Sequence, residues 1–315
     1  MTSTQLVEVV AGVLVRPDGR FLLASRPVGK VYAGYWEFPG GKIEPGEAPY
    51  AALVRELQEE LAITVTAATP WLVQQFVYPH AHVRLRFYRV SAWQGEPQAQ
   101  EGQQLNWQTP GQLDVAPMLP ANTPILRALS LPAITALTCA GELGENAVLA
   151  ALPARLAAGL SLLIVREPDY ARDQLASWVA RLAELTRPAG CRLLVNAEPD
   201  WPAGWPVDGV HLNSARLAAC RQRPDFAWVG ASAHRPEESQ HAGELGLDYA
   251  LLGHVLPTAS HPDAPPLGWQ GLACQLASAG PRLPVYALGG LAAADLPAAC
   301  EAGAHGVALM RGAWA

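Results

Sequence analysis

The stretch that decides the fold of the first half of the chain is Gly40–Ile63, GGKIEPGEAPYAALVRELQEELAI. From Pro49 onward it predicts a helix, because apolar residues recur at helical spacing and form one face; they are Ala51, Ala52, Leu53, Leu57 and Leu61. On that helix Glu56, Glu59 and Glu60 stand at positions i, i+3 and i+4, so their carboxylates share one stripe. Like charges at this spacing are destabilising by about 0.2–0.5 kcal/mol per pair. The stripe therefore indicates a function rather than helix stability.

A carboxylate stripe of this kind suits a hard divalent cation, which prefers oxygen ligands. The Gly40–Gly41 pair ahead of the helix has backbone conformations that other residues lack, so the turn can lie tightly against the helix. Arg55 is placed to pair with Glu47 and to fix that turn. The alternative is a solvated acidic face, which an isolated E-x-x-E-E motif would favour.

Composition and charge limit what the chain can be. It has 315 residues, of which 50% are hydrophobic and 16% charged, enough for two domains with apolar cores. The net charge of −6 argues against a general nucleic-acid-binding protein but permits a small anionic substrate neutralised by a metal. The sequence shows neither a signal-peptide pattern nor a long unbroken apolar run, and its five cysteines form no CxxC pair. We therefore expect a cytoplasmic protein without a membrane span, a disulfide framework or a zinc site.

The residue pattern changes near residue 130. Before Pro120 the chain has strand character apart from the one amphipathic helix, and TPILRALSLP, Thr123–Pro132, predicts a closing helix that ends at a proline. Beyond it, eight short apolar runs alternate with alanine- and leucine-rich stretches of helical character. This alternation predicts a small (β/α)8 TIM-type barrel with several abbreviated helices. We therefore expect an α/β protein with two domains, residues 1–131 and residues 132–315.

The first domain carries the pattern of a known family. A glycine is followed six residues later by glutamate, and eight residues after that by an Arg-Glu-Leu-x-Glu-Glu run, at Gly41, Glu47 and Arg55–Glu60. This pattern resembles the Nudix box, the hallmark of hydrolases that cleave nucleoside diphosphates linked to another moiety. The resemblance implies a Nudix α/β/α sandwich with a mixed sheet. The box usually ends with glycine and an aliphatic residue, whereas Ala62 precedes Ile63 here, which questions the end of the helix but no ligand.

Over about residues 5–128 the chain is similar to MutT-type 8-oxo-dGTP diphosphatases, as YWEFPGGKIEPGE, VRELQEE, WQGEPQAQEGQQLNW and LPANTPIL show. The resemblance implies hydrolysis of 8-oxo-dGTP to the monophosphate and pyrophosphate with Mg²⁺, or with Mn²⁺ in its place. It implies that Glu56 also acts as general base for the attacking water. The implied catalytic residues are Glu47, Arg55, Glu56, Glu59 and Glu60. The implied metal ligands are Gly40, Glu56, Glu59, Glu60 and Glu101.

The same resemblance implies contacts with the nucleotide. Asn122 would read the oxidised purine, because an amide donates and accepts on one base edge; alone, it would be a helix N-cap. The remaining implied substrate-binding residues are Arg26, Phe38, Gly40, Gly41 and Lys42. The chain departs from the subfamily at His80 and Ala81, which replace an Asp-Arg pair, so we expect altered base recognition by this loop. His80 and His82 are expected to be surface residues rather than metal ligands.

Residues 133–312 resemble thiamine-phosphate synthase and its TenI-like relatives, through DGVHLN, GASAHRPEE, GLDYALLGHVLPTASHPDAPPLG, VYALGGL and AGAHGVALMRG. In such barrels, loops that follow the last strands form a phosphate site. The resemblance implies that the site here consists of Thr258, Ser260, Gly289 and Gly290.

The metal-binding residues of those synthases are missing from this sequence. Ala197 follows Asn196 where they carry an aspartate, and Asn213–Arg216 replaces a Gly-Gln step and a further aspartate. The lysine expected after the Pro-Thr step is absent, and His261 and Asp263 stand nearby. We therefore predict a binding or regulatory barrel rather than an active synthase.

The leading prediction is thus a Mg²⁺-dependent 8-oxo-dGTP diphosphatase with a degenerate accessory barrel. Its expected partners are a nucleoside triphosphate and a phosphorylated small molecule in the barrel, with no nucleic acid and no membrane. Three alternatives stay open. The chain is a bifunctional enzyme that also makes thiamine phosphate, a housekeeping hydrolase of thiamine-related phosphates, or a non-catalytic nucleotide sensor.

Overall fold

The computed structural model describes residues 6–79, 81–198, 200–259 and 263–314. Three residues discussed above, His80, Ser260 and His261, lie outside the described residues. The chain divides into two compact units, Met1–Ser130 and Leu131–Ala315, and each has its own hydrophobic core. Across the described ranges, every helix is too short or too polar to span a membrane.

The first unit contains two three-stranded sheets and two helices. Strand β1 pairs in parallel with β5, which pairs antiparallel with β4, and β2 lies between β3 and β6 in an antiparallel sheet. The expected mixed sheet is therefore confirmed. The elements are β1 Leu6–Leu14, β2 Phe21–Ser25, β3 Trp36–Glu37, α1 Pro49–Leu61, β4 Thr64–Tyr78, β5 Ala81–Gln94, β6 Leu105–Gln108 and α2 Thr123–Leu129.

Helix α1 is the predicted amphipathic helix. Its buried face packs into a core that includes Val10 and Leu14 of β1; that face consists of Ala52, Leu53, Leu57 and Leu61. The apolar stripe is narrower than predicted, because Ala51 is exposed. The helix ends at Ala62, which adopts the left-handed conformation with φ 55° and donates its N–H to the carbonyl of Gln58 at 3.0 Å. Alanine therefore takes the position that glycine usually has at a helix end.

The second unit is a closed barrel of eight parallel strands, and each predicted apolar run supplies one of them. The strands are β7 Ile134–Leu137, β8 Leu162–Val165, β9 Arg192–Val195, β10 Gly209–Leu212, β11 Trp228–Ala233, β12 Tyr249–Gly253, β13 Val285–Leu288 and β14 Gly306–Leu309. The predicted TIM-type barrel is confirmed.

The barrel helices are uneven in length, as expected. Helices α6 and α9 have six residues each, and no helix lies between β9 and β10 among the described residues. The helices are α3 Ala140–Leu143, α4 Glu145–Ala157, α5 Arg172–Thr186, α6 Ser214–Ala219, α7 Pro236–Glu244, α8 Gly268–Ala279 and α9 Leu296–Glu301. The carboxyl ends of parallel barrel strands form one face, where such barrels place their sites.

Candidate active site

The Gly40–Gly41 turn lies against both β1 and the carboxylates of α1. The N–H of Gly40 donates to Glu60 Oε2 at 3.0 Å. A Cβ on Gly40, whose φ is +146°, would lie 2.2 Å from the carbonyl oxygen of Val10. A Cβ on Gly41 would lie 2.2 Å from Glu56 Oε2. Glycine at position 40 therefore lets the turn lie against the backbone of β1, and glycine at position 41 leaves room for the carboxylate of Glu56.

Arg55 joins the turn to the carboxylate stripe. Its Nε and Nη2 donate to the two carboxylate oxygens of Glu47 at 3.0 and 2.9 Å, and Nη2 also donates to the carbonyl of Lys42 at 3.1 Å. The predicted Arg55–Glu47 pair therefore forms. On the other side, Nη1 contacts Glu56 Oε1 at 2.8 Å and Glu59 Oε2 at 3.3 Å. The hydrogen bonds of Arg55 and of the Glu44 backbone lower the pKa of Glu47.

Glu60 is the most perturbed acid of the site. Burial, together with the nearby carboxylates of Glu101 and Glu37, raises its pKa to about 7 against the lowering effects of the Gly40 N–H and Lys30. A half-buried carboxylate with negative neighbours is stabilised in its charged form by a nearby positive charge. A bound cation would supply that charge.

Glu101 reaches this region from the loop before β6. Its Oε2 lies 2.5 Å from Lys30 Nζ, and its backbone N–H donates to Gln103 Oε1 at 2.7 Å. Gln103 is buried and donates through Nε2 to the carbonyl of Glu60 at 2.8 Å. It therefore fixes the predicted fourth acid beside the end of α1. Sequence reasoning missed both Lys30 and Gln103, although Gln103 lies only two residues after Glu101.

The carboxylate oxygens of this site are the ligand type that a hard divalent cation prefers. The carboxylates of Glu56 and Glu60 lie against the Gly40–Gly41 turn, and burial together with the charge of Glu101 raises the pKa of Glu60. In the part of the chain that the structure describes, no three acidic, histidine or cysteine side chains are arranged to hold a metal ion as they stand. Arg55 and Lys30 pair with these carboxylates instead. To bind a cation, the predicted ligands Glu56, Glu59 and Glu101 would have to rotate away from Arg55 and Lys30.

The predicted nucleotide contacts lie in different environments. Arg26 Nη1 pairs with both oxygens of Glu37 at 2.7 and 2.8 Å, and burial raises the pKa of Glu37 despite this partner. Phe38 is only 3% exposed and packs in an aromatic core with Phe21 and Phe87, so its ring supports the site from below. Lys42 is exposed, and its side chain has no partner among the described residues. Glu37 was missed in the sequence, although it directly precedes the Phe-Pro-Gly-Gly turn.

Asn122 is 3% exposed, in the short turn before α2. It makes no side-chain cap on α2, so the alternative capping role is wrong. Its Nδ2 donates to the carbonyl of Trp36 at 3.5 Å, and its Oδ1 has no hydrogen bond among the described residues. The neighbouring backbone of Ala121 bonds to the hydroxyl of Tyr78, whose pKa is raised chiefly by burial. A buried amide with an open acceptor is suited to reading a polar ligand edge.

The barrel has a cavity of about 720 Å³ at the carboxyl ends of its strands. Thr258, Gly289 and Gly290 line it, three of the four predicted phosphate-site residues. A Cβ on Gly289, at φ +100°, would lie 2.3 Å from His254 Cβ, and glycine is therefore needed for this close approach. The loop after β13 can thus bring backbone N–H groups to the cavity.

Arg166 also lines this cavity, after β8. No carboxylate lies within ion-pair distance of Arg166 among the described residues. Glu167, the acidic lining residue, already accepts the N–H groups of Ala140 and Gly141 at 2.7 and 2.9 Å. Arg216 donates to Asn196 Oδ1 at 2.8 Å, which uses the oxygen of the amide that the synthase pattern retains. Among the described residues, the cavity is therefore lined by an arginine without a carboxylate partner, and its acidic residue Glu167 is already hydrogen-bonded.

His211 lies beneath the cavity and is fully buried. Its ring nitrogens lie 3.1 Å from the Tyr249 hydroxyl and 2.9 Å from Ser232 Oγ. Burial, with the positive charges of Arg166 and Arg216, lowers its pKa to about 3. His211 is therefore a neutral imidazole that links a buried hydroxyl to one that lines the cavity.

Comparison with known proteins gives a family match for each half of the chain. A family model described as NUDIX domain matches residues 10–128, and one described as thiamine monophosphate synthase matches residues 134–313. CTP pyrophosphohydrolase of Escherichia coli (strain K12) is 41% identical over 124 residues, 39% of this chain and 91% of that protein.

Two further relatives cover the two halves. An 8-oxo-dGTP diphosphatase of Haemophilus influenzae is 38% identical over 125 residues, 40% of this chain and 92% of that protein. A putative thiamine-phosphate synthase 2 of Aquifex aeolicus is 32% identical over 183 residues, 57% of this chain and 96% of that protein. The chain therefore belongs to the Nudix family in its first half and to the thiamine monophosphate synthase and TenI family in its second, joined in one polypeptide.

Proposed function

We propose that the chain is a Mg²⁺-dependent nucleoside triphosphate pyrophosphohydrolase that converts 8-oxo-dGTP to 8-oxo-dGMP and pyrophosphate. The observation that carries the hydrolase assignment is the half-buried carboxylate of Glu60, which accepts the Gly40 N–H at 3.0 Å and has its pKa raised by burial and by the charge of Glu101. A close group of acids costs stability, so its presence argues for a site that binds cations and against a sensor that binds nucleotide alone.

Each residue of the site has a defined part in this chemistry. Glu56, Glu59, Glu60 and Glu101 would hold the divalent cation, which when bound neutralises phosphate charge and activates water. Arg55 Nη1 donates to Glu56 Oε1 at 2.8 Å and so orients this carboxylate, which would accept a proton from the attacking water. The Gly40–Gly41 turn lets the phosphate chain approach without steric obstruction.

The base preference rests on Asn122. Its buried amide offers one open acceptor and one further N–H to a base edge, and a site built on such bonds rejects bases without the matching groups. CTP pyrophosphohydrolase is the name of one relative, and 8-oxo-dGTP diphosphatase is the name of three others. Cytidine triphosphate is therefore the second candidate substrate.

Steady-state hydrolysis of 8-oxo-dGTP, dGTP and CTP with Mg²⁺ tests this assignment. We expect kcat/KM for 8-oxo-dGTP to exceed that for dGTP and CTP by at least about 100-fold, with monophosphate and pyrophosphate as products. The Asn122→Leu variant should lose this preference while it still hydrolyses dGTP at the wild-type rate. A preference for CTP in the wild-type chain would replace the assignment with the second candidate.

For the barrel, we propose a module that binds a phosphorylated small molecule without metal and makes no thiamine phosphate. Arg166, which lines the cavity without a described carboxylate partner, supports this proposal. Calorimetric titration with thiazole phosphate and with inorganic pyrophosphate, both in EDTA, tests it on the wild type and on Arg166→Met. We expect binding that this variant weakens about tenfold or more. Formation of thiamine phosphate from the pyrimidine and thiazole phosphates with Mg²⁺ would instead establish the bifunctional alternative.

A further inference from the structure

Lys30 is one of only two lysines in the chain, and it lies among the carboxylates of the Nudix site. Its Nζ is 2.5 Å from Glu101 Oε2. Its charge also lowers the pKa of Glu60 and of Glu37. One cation thus serves acids from three separate parts of the chain, namely α1, β3 and the loop before β6.

The loop between β2 and β3 presents this lysine. The loop is closed at its base by backbone hydrogen bonds between Arg26 and Tyr35 at 2.8 Å and between Gly34 and Arg26 at 2.9 Å. Arg26 also donates through Nε to the carbonyl of Val31 at 2.6 Å. Lys30 therefore extends from the tip of an internally bonded loop, and its long side chain can change partner without a change in the loop itself.

The Lys30–Glu101 ion pair is open to exchange. Its side chains are 46% and 41% exposed, and an ion pair that is so accessible to water contributes little to stability. A divalent cation carries twice the charge of an ammonium and binds carboxylate oxygen directly. Lys30 and a metal ion therefore compete for the same oxygen of Glu101, and the metal is the stronger competitor.

We propose that Lys30 changes partner when the site binds its metal ion and nucleotide. It pairs with Glu101 in the metal-free protein, and it contacts the phosphate chain of the nucleotide once a divalent cation has bound Glu101. This rests on the proposed function, because it takes Glu101 as a metal ligand. The released ammonium remains beside the place where the phosphates must lie, and an ammonium is a strong phosphate ligand. Lys30 is thus a substrate-binding residue whose availability depends on the metal.

The first test measures metal affinity with no nucleotide present, by Mn²⁺ titration of the full chain followed by electron paramagnetic resonance. Lys30→Met should lower the Kd for Mn²⁺ by about three- to tenfold, since it removes the ammonium that pairs with Glu101 Oε2. Arg20→Met is the matched control, because Arg20 is also 46% exposed but pairs with Asp18 in the β1–β2 turn. This control should leave the Kd unchanged.

A double-mutant comparison separates competition from a general charge effect. In a Glu101→Gln chain, adding Lys30→Met should change the Kd for Mn²⁺ by less than twofold. If Lys30→Met alone leaves the Kd within twofold of the wild type, competition for Glu101 is refuted. This titration contains no nucleotide, so it decides the point even if the chain does not hydrolyse 8-oxo-dGTP and the proposed function fails.

The second test measures the phosphate contact. At saturating Mg²⁺, Lys30→Met should raise the KM for 8-oxo-dGTP about fivefold or more with a smaller change in kcat, and Lys30→Arg should restore KM. An unchanged KM in Lys30→Met would refute the phosphate contact.

Discussion

Replacing Gly41 with alanine should remove activity and leave the fold intact. The new Cβ would lie 2.2 Å from Glu56 Oε2, about 1.2 Å short of ordinary contact at 3.4 Å. The backbone of Gly41 does not have a positive φ, so the turn itself accepts alanine. The side chain of Glu56 must therefore withdraw by roughly 1 Å, and a displacement of that size at a reacting group lowers the rate about 100-fold.

Gly40→Ala is the matched comparison. Its Cβ would meet the backbone carbonyl of Val10 at 2.2 Å, and its φ of +146° is unfavourable for alanine. Because the turn and strand cannot move as a side chain does, we expect Gly40→Ala to lower the free energy of unfolding by about 2 kcal/mol or more. For Gly41→Ala the change should stay below about 1 kcal/mol.

The assays are kcat/KM with 8-oxo-dGTP and Mg²⁺, and urea unfolding of both variants. The reasoning is refuted if Gly41→Ala keeps more than a third of the wild-type kcat/KM, because the position of the Glu56 carboxylate would then not matter. It is equally refuted if Gly41→Ala is the less stable of the two variants.

Three further predictions concern the end of α1, the barrel and the Arg55 pair. Ala62→Gly should raise the free energy of unfolding by about 0.5–1 kcal/mol in urea, because glycine accepts the left-handed conformation at φ 55°; a loss of stability would contradict this. His211 has a folded-state pKa of about 3, below its unfolded value near 6.5, so only the unfolded chain binds this proton between these pH values. The free energy of unfolding of the barrel should therefore fall by up to about 1.4 kcal/mol per pH unit on acidification from pH 6 to 4. Urea unfolding with hydrogen exchange at β10 measures this fall, and His211→Gln should make it smaller. Glu47→Gln should lower kcat at least about tenfold with Mg²⁺, because it removes a charged partner 2.9 Å from Arg55; a kcat within twofold of wild type would contradict this.

The helices and strands of both units were predictable from local sequence patterns. Helix α1 was predictable because its apolar face and its acidic stripe both repeat at helical spacing, and the barrel because eight apolar runs alternate with helical stretches. The Arg55–Glu47 pair was predictable because both residues lie within one turn-helix segment. The left-handed conformation of Ala62 is a tertiary outcome, since alanine by itself disfavours it.

The charges that complete the site were not predictable from spacing. Lys30 and Glu101 are 71 residues apart, and Arg26 meets Glu37 across neighbouring strands. Such pairs depend on how the sheets and loops pack, and one sequence carries no signal for that. The burial of Phe38 was likewise missed, because an aromatic residue beside a glycine turn suits a base contact as well as a core.

In the barrel, too, contacts between residues distant in the sequence were not predictable. Its missing carboxylates were visible in the sequence, but the interaction of Arg216 with Asn196 was not, because it joins helix α6 to the loop after β9. The linkage of His211 to Tyr249 and Ser232 likewise depends on the register of three strands, β10, β11 and β12.

The central claim is that the carboxylates of α1 carry out metal-dependent hydrolysis, and the most direct test is the kcat of Glu56→Gln for 8-oxo-dGTP with Mg²⁺. Glu184→Gln, at an exposed position of α5 in the barrel, is the control. We predict a fall of at least about 1,000-fold for Glu56→Gln, since we propose Glu56 both as a metal ligand and as the general base, and wild-type kcat for the control. A Glu56→Gln chain that retains a tenth or more of the wild-type kcat would contradict the account.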